Sequence, residues 1–168
     1  MRLLILSFLL LMITQKNQAQ NLNTVIQDAK DQKDVLSGLC DRSGLQCPLF
    51  NEFYAAEYSK YKPADSVMTV LKGLPKNYTI TIVMGTWCGD SQEQVPRFYK
   101  ILDEMGFPES SVTLICVDRT KTAGNLTTPE MKIEKVPTFI FYKDKTEIGR
   151  ITETPVRTLE KDMMGILK

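Results

Sequence analysis

The stretch Thr79-Ile80-Thr81-Ile82-Val83-Met84-Gly85-Thr86-Trp87-Cys88-Gly89-Asp90-Ser91 begins as a strand and ends at the start of a helix. Its first half is β-branched and apolar, the pattern of a strand buried on both faces at its end. Gly85 to Asp90 reads as a loop. From Ser91 the period changes, and Val95, Phe98, Ile101, Leu102 and Met105 form one apolar stripe of a helix over 91–105. Asp90 and Glu93 have the D-x-x-E spacing of a capping box, which places the helix start at or just after Asp90. Gly106 and Pro108 stop it. Val112 to Val117 is a second buried strand, and a helical crossover between two strands makes them parallel.

The pattern downstream is consistent with this beginning. Residues 119–135 form a longer polar connection with a helical turn near Pro129 to Lys132. Thr138 to Tyr142 and Glu147 to Thr152 read as a hairpin around Lys143-Asp144-Lys145. Pro155 opens a last helix carrying Val156, Leu159, Met163, Ile166 and Leu167. The element order over 76–168 is β-α-β-α-β-β-α.

Upstream, residues 22–36 are expected to be helical, with Val25, Ile26, Ala29, Val35 and Leu36 as loosely spaced apolar positions. Ser37 to Pro48 is a breaker. Leu49, Phe50, Phe53, Tyr54 and Tyr58 resume a helical pattern that Pro63 ends, and Asp65 or Ser66 caps a short helix through Val67, Val70 and Leu71. Residues 21–75 are thus expected as an N-terminal helical extension. Residues 1–20 are set apart. Arg2 supplies a positive start, Leu3 to Ile13 is apolar except for Ser7, and a polar stretch reaches Ala19-Gln20. This is the pattern of a secretory signal peptide cleaved near residue 20, with an apolar run too short to span a bilayer comfortably.

The chain has 168 residues, 43% of them apolar and 24% charged, with four Cys and no His. Without His there is no Ser-His-Asp triad, no His general base and no His-ligated metal. Cleavage after residue 20 removes Arg2 and Lys16 and leaves 19 basic against 20 acidic residues. That balance argues against nucleic acid or an anionic membrane as the main partner. Export to a periplasmic or extracellular space implies an oxidising compartment for Cys40, Cys47, Cys88 and Cys116. The cysteine spacings fit no common zinc pattern, and no metal or other cofactor is expected.

Cys88 stands where chemistry is expected. It follows a buried strand and precedes a helix, whose exposed N–H groups and positive dipole end favour a thiolate. Asp90 opposes this through like charge, but with no His in the chain it is also a catalytic candidate, since the thiol proton must go to solvent, to a substrate thiol or to Asp90. Cys40 and Cys47 flank Gly44 in one loop and are candidates for a local disulfide; alternatively, one of them reaches Cys88 as a resolving partner. Cys116 lies in an apolar strand and reads as a core thiol.

With these residues in place the chain resembles the thioredoxin superfamily, and in particular secreted thioredoxin-like proteins with a Trp-Cys-x-Asp-Ser motif. Trp87-Cys88-Gly89-Asp90-Ser91 occupies the place of the family's Trp-Cys-Gly-Pro-Cys. Pro96 matches a helix-kinking proline, Asp118 a strand-ending aspartate, and Val136-Pro137-Thr138 the cis-proline segment. The resemblance covers about residues 76–168. It implies an α/β thioredoxin-like fold, a four-stranded mixed core sheet flanked by helices. It also implies that Cys88 attacks, Trp87 shields it, and Val136 and Pro137 present backbone to an extended substrate. Two positions depart from the family pattern. Ser91 replaces the resolving Cys, and Ile82 replaces a buried carboxylate. A dithiol cycle within the motif is therefore ruled out, and Ser91 becomes a candidate to hydrogen-bond the sulfur. The expected function is exported thiol-disulfide oxidoreductase or isomerase chemistry through Cys88 alone, with protein or small-molecule thiols and disulfides as partners. The competing expectation is a non-catalytic binding or chaperone-like module on the same fold.

Overall fold

The computed structural model describes residues 21–127 and 129–168. The signal peptide expected at 1–20 lies outside the described residues. The chain runs through β1 (Val25–Gln27), β2 (Asp34–Leu36), β3 (Gly38–Cys40), α1 (Asn51–Lys60), α2 (Asp65–Gly73), β4 (Thr79–Met84), α3 (Gly89–Met105), β5 (Val112–Cys116), β6 (Thr138–Lys143), β7 (Thr146–Thr152) and α4 (Leu159–Leu167). The main sheet has the order β3-β5-β4-β6-β7. Within it β4 and β5 pair in parallel, joined by α3, and the other pairs are antiparallel. This is the α/β, mixed-sheet fold expected from the sequence, with one strand more than the expected four.

That extra strand belongs to a segment where the structure corrects the expectation. Residues 22–36 are not a helix. They form a two-stranded hairpin, β1 against β2, and β3 then joins the main sheet edge. The local cause is Asp28. Its Oδ1 accepts the Lys30 N–H at 2.8 Å, and its carbonyl accepts the Gln32 N–H at 2.9 Å. A carboxylate bonding its own downstream backbone offers a turn in competition with helix. Thr24, Val25 and Ile26, β-branched in sequence, suit a strand leading into such a turn.

The core explains where the site ends up. Ile80, Ile82 and Met84 of β4, Leu114 and Cys116 of β5, and Phe139 and Phe141 of β6 share one face of the sheet. The buried side chains of α1 to α4 pack on that face, among them Phe98, which stacks on Phe139 with ring centroids 4.3 Å apart. Glu160, buried at the start of α4, ties the α1–α2 connection to this layer. It accepts the Tyr61 hydroxyl at 2.6 Å and the Ala64 N–H at 3.3 Å. Burial opposes its charge, but these donors outweigh burial and hold its carboxyl below the usual range. α4 begins at Leu159 rather than at Pro155, because Asp162 draws back the Val156 and Arg157 N–H groups and shapes an irregular lead-in.

The opposite sheet face carries a smaller cluster. Val83, Ile115, Val117 and Val136 meet Ala123 from the 117–137 connection, with Trp87 and Cys88 packed beside them. Among its described residues this connection contains a 3-10 turn at Pro129–Met131 and no α-helix. Among the described residues no helix is long and apolar enough to cross a membrane.

Candidate active site

β4 ends fully buried at Met84, and Gly85 turns the chain toward α3. Cys88 sits at the N-cap position of α3, so the helix starts slightly earlier than expected, and the Cys88 carbonyl accepts the Gln92 N–H at 3.0 Å. The expected capping box does not form. α3 has no side-chain cap, and Glu93 instead pairs with Arg97 at i,i+4. Even so, the free N–H groups of the first turn lie beside Cys88, and negative charge is favoured there.

The structure brings Cys88, Trp87, Val136 and Pro137 together. The Val136–Pro137 peptide is cis, and the half-buried Cys88 thiol donates to the Val136 carbonyl oxygen at 3.1 Å. To attack as a thiolate the sulfur must give up that bond. Trp87 donates its indole N–H to the Val117 carbonyl at 2.9 Å, which fixes the ring against the loop after β5. Asp90 lies half-buried in the first turn of α3, within electrostatic reach of Lys135; Lys135 itself pairs with Glu153.

Ser91 departs from its expected role. It is fully buried, and its hydroxyl accepts the Gly85 N–H at 3.3 Å. Its partner is thus the backbone of the strand-to-helix turn rather than the Cys88 sulfur. Ile82 is likewise buried in the helix-side core, where an apolar side chain moves no proton.

Cys40 and Cys47, the disulfide candidates, are both free thiols, and the sulfur that Cys40 meets is that of Cys116. Cys40 and Cys116 face the helical layer, whereas Cys88 packs on the other side of the sheet. The structure therefore does not bring Cys40 to Cys88. Among the described residues no cluster of three or more Cys, Asp or Glu is arranged to hold a metal.

Several site-shaping residues carry no sequence signal of their own. Arg119 lies over the Trp87 ring, 5.1 Å from its centroid, and pairs with Asp31 at 2.8 Å. Its backbone N–H donates to Asp28 Oδ2 at 2.7 Å. Leu36 donates its N–H to Thr86 Oγ1 at 3.4 Å, and Gln92 donates to the Thr86 carbonyl at 2.8 Å. The N-terminal hairpin therefore braces the Trp87 loop. A recess of about 230 Å³ opens between them, walled by Lys33, Asp34, Thr86, Trp87, Gln92 and Arg119. These partners are far apart in sequence, so only the fold reveals them.

Gly85 also shapes the site, and unlike these it leaves a signal in the sequence, a glycine at a strand end. A Cβ on it would stand 2.5 Å from Cε2 and Nε1 of Trp87, so only glycine lets the indole lie over the turn. Gly85→Ala is expected to push the ring off the Val117 carbonyl at a cost of about 1–3 kcal/mol, the range for overpacking. Trp87 is the single tryptophan of the chain. The displacement is therefore read directly, as a red shift of tryptophan emission in the folded protein; unchanged emission would refute it.

A family model described as thioredoxin matches residues 51–164. Comparison with curated proteins finds no match. Among solved structures, a protein of unknown function from Pseudomonas aeruginosa aligns at 14% identity, covering 68% of this chain and 79% of its own, with a TM-score of 0.50. Mitochondrial thioredoxin 3 from Saccharomyces cerevisiae aligns at 17% identity over 66% of this chain and 96% of its own, with a TM-score of 0.39. Thioredoxin f from spinach chloroplast aligns at 20% identity over 68% and 89%, also at 0.39.

Proposed function

We propose, for a chain that belongs to the thioredoxin family, that it performs thiol–disulfide exchange through Cys88 alone, in the exported location that residues 1–20 suggest. The observation that carries this reading is the placement of the Cys88 thiol. It is half-buried at the N-terminus of α3, bonded to the Val136 carbonyl beside the cis Val136–Pro137 peptide. A substrate disulfide entering here meets a sulfur next to free helix N–H groups and a peptide edge at Val136.

The reaction proceeds by exchange. The Cys88 thiolate attacks one sulfur of a disulfide, a new S–S bond forms, and the other sulfur leaves as a thiolate that takes a proton from solvent. Ser91 has no thiol, so the mixed disulfide persists until a second thiol attacks it. A second thiol of the same substrate gives isomerisation with no net redox change. Reduction takes two external small thiols: the first attacks the Cys88 sulfur, releasing the substrate as a thiol, and the second attacks the small thiol's sulfur on Cys88, freeing Cys88 and leaving the two small thiols joined as a disulfide. Substrates are therefore protein or small-molecule disulfides and thiols, and Trp87 offers them the apolar wall.

A second reading also has support. Ser91 is bonded to Gly85 rather than to the sulfur, and Ile82 replaces a proton carrier. Both are compatible with a binding module whose Cys88 does no chemistry. One experiment separates the two. The full chain is treated with hydroxyethyl disulfide at neutral pH, and adducts are followed by intact mass and peptide mapping. The exchange reading expects an adduct on Cys88, formed faster than on free cysteine under the same conditions. Modification of Cys88 no faster than free cysteine leaves the binding module as the function.

A further inference from the structure

The exchange chemistry leaves three cysteines unused, and two of them meet. Cys40 on β3 and Cys116 on β5 lie on adjacent antiparallel strands, both turned to the helical core. The register sets Gly38 opposite Cys116 and Leu114 opposite Cys40, so the two thiols occupy a diagonal of one face. Diagonal positions lie about 7–8 Å apart, so a bridge between them draws β3 slightly toward β5. The position directly across from Cys116 carries no side chain, since it is Gly38, in the left-handed region at φ 98°. That leaves the diagonal open between the two sulfurs. Cys40 is 5% exposed and Cys116 fully buried.

The two sulfurs are also chemically unequal. A side-chain hydrogen bond links the Cys40 and Cys116 thiols. That bond holds the Cys40 thiol below its ordinary range, while the same bond and burial push the Cys116 thiol up. Cys40 is thus the member suited to attack first, and Cys116 the member suited to follow.

We propose that Cys40 and Cys116 form a disulfide site, separate from Cys88, that is oxidised by small-molecule disulfides and staples β3 to the centre of the sheet. The Cys40 thiolate attacks one sulfur of the small disulfide, forming a mixed disulfide and expelling a small thiolate. That thiolate takes the Cys116 proton. The Cys116 thiolate then attacks the Cys40 sulfur, closing the Cys40–Cys116 bond and expelling the second small thiolate, which takes a proton from solvent. Two electrons pass from the two cysteines to the small disulfide, which ends as two thiols. Access comes through β3, a three-residue edge strand and so among the first parts of the sheet to open. The bridge would link residues 40 and 116, holding the N-terminal segment that braces Trp87.

The test uses the full chain and its Cys47→Ser variant, which removes the nearest competing thiol from a half-buried position. Each is treated with excess hydroxyethyl disulfide until its free-thiol titre no longer falls, remaining thiols are blocked, and non-reduced peptides are mapped by mass spectrometry. The expected result is a Cys40 peptide joined to a Cys116 peptide in both proteins, two hydrogens lighter than the free pair. Any other state of Cys40 overturns the proposal: joined to Cys47 or Cys88, singly modified, or still free. The state of Cys88 in the same map reports separately on the exchange reaction, so the two ideas fail independently.

Discussion

Serine in place of Cys88 leaves the chain folded and abolishes thiol–disulfide exchange. The substitution changes one atom at a half-buried position. Serine is a favoured N-cap residue, and its hydroxyl can donate to the Val136 carbonyl as the thiol does. Stability should therefore stay within about 0.5 kcal/mol of the parent, as for a substitution that leaves every partner satisfied. The chemistry has no such substitute. A hydroxyl is not ionised at neutral pH and forms no bond to sulfur that could sustain exchange. Measured in a Cys40→Ser background, which removes the separate release by the Cys40–Cys116 pair, the rate of thiol release from hydroxyethyl disulfide should fall at least about a thousandfold, or ~4 kcal/mol of barrier at 1.36 kcal/mol per tenfold. Rates are followed by thiol titration, and folding by a thermal melt in the same buffer. Release at the parental rate by a folded Cys88→Ser protein would move the chemistry to another cysteine.

Ser91→Cys acts on the other half of the cycle. It puts a thiol three residues after Cys88, on the first turn of the same helix, where Ser91 is fully buried against Gly85. The volume added is small, and the hydrogen bond lost is one to a backbone N–H at 3.3 Å. In the parent a mixed disulfide waits for a thiol from solution. In the variant the new thiol attacks it from within the molecule, closing an S–S bond between positions 88 and 91 and expelling the substrate as a thiol. An intramolecular attack gains effective concentration, and even a poorly aligned one should release substrate at least about a hundredfold faster than millimolar external thiol. Quenched time points analysed by intact mass would show the adduct accumulating in the parent and failing to accumulate in the variant. Equal adduct lifetimes would mean that residue 91 points away from the sulfur throughout the reaction.

The sequence stretch from Thr79 to Met105 is legible because strand and helix differ in period there, and the same holds for β6 and β7. Each of these segments buries a face that its own residues already mark. The hairpin at Val25 to Leu36 is illegible for the opposite reason. Its Val25 and Ile26 stay exposed, so their spacing carries no core signal. What fixes the segment is a bond from the backbone of Arg119 to Asp28, 91 residues away. The site divides along the same line. Trp87, Cys88, Val136 and Pro137 are marked in the sequence, and they come together in the fold. The Ser91–Gly85 bond, the Arg119 cation over Trp87 and the Cys40–Cys116 contact each join residues whose local sequence says nothing of the partner. They depend on strand order and register, which pairwise spacing along the chain does not encode.

The one-sided helical layer has a consequence for how such a site can change. Cys88 is anchored from α3, inside the main core, where a change in length would disturb everything packed on it. Val136 hangs from a connection that crosses the opposite face with no α-helix among its described residues. Insertions, deletions and new side chains in that connection alter what an incoming partner touches, and the nucleophile stays where it is. The two halves of the site can thus diverge at different rates: a fixed reactive post facing a freely rewritten doorway.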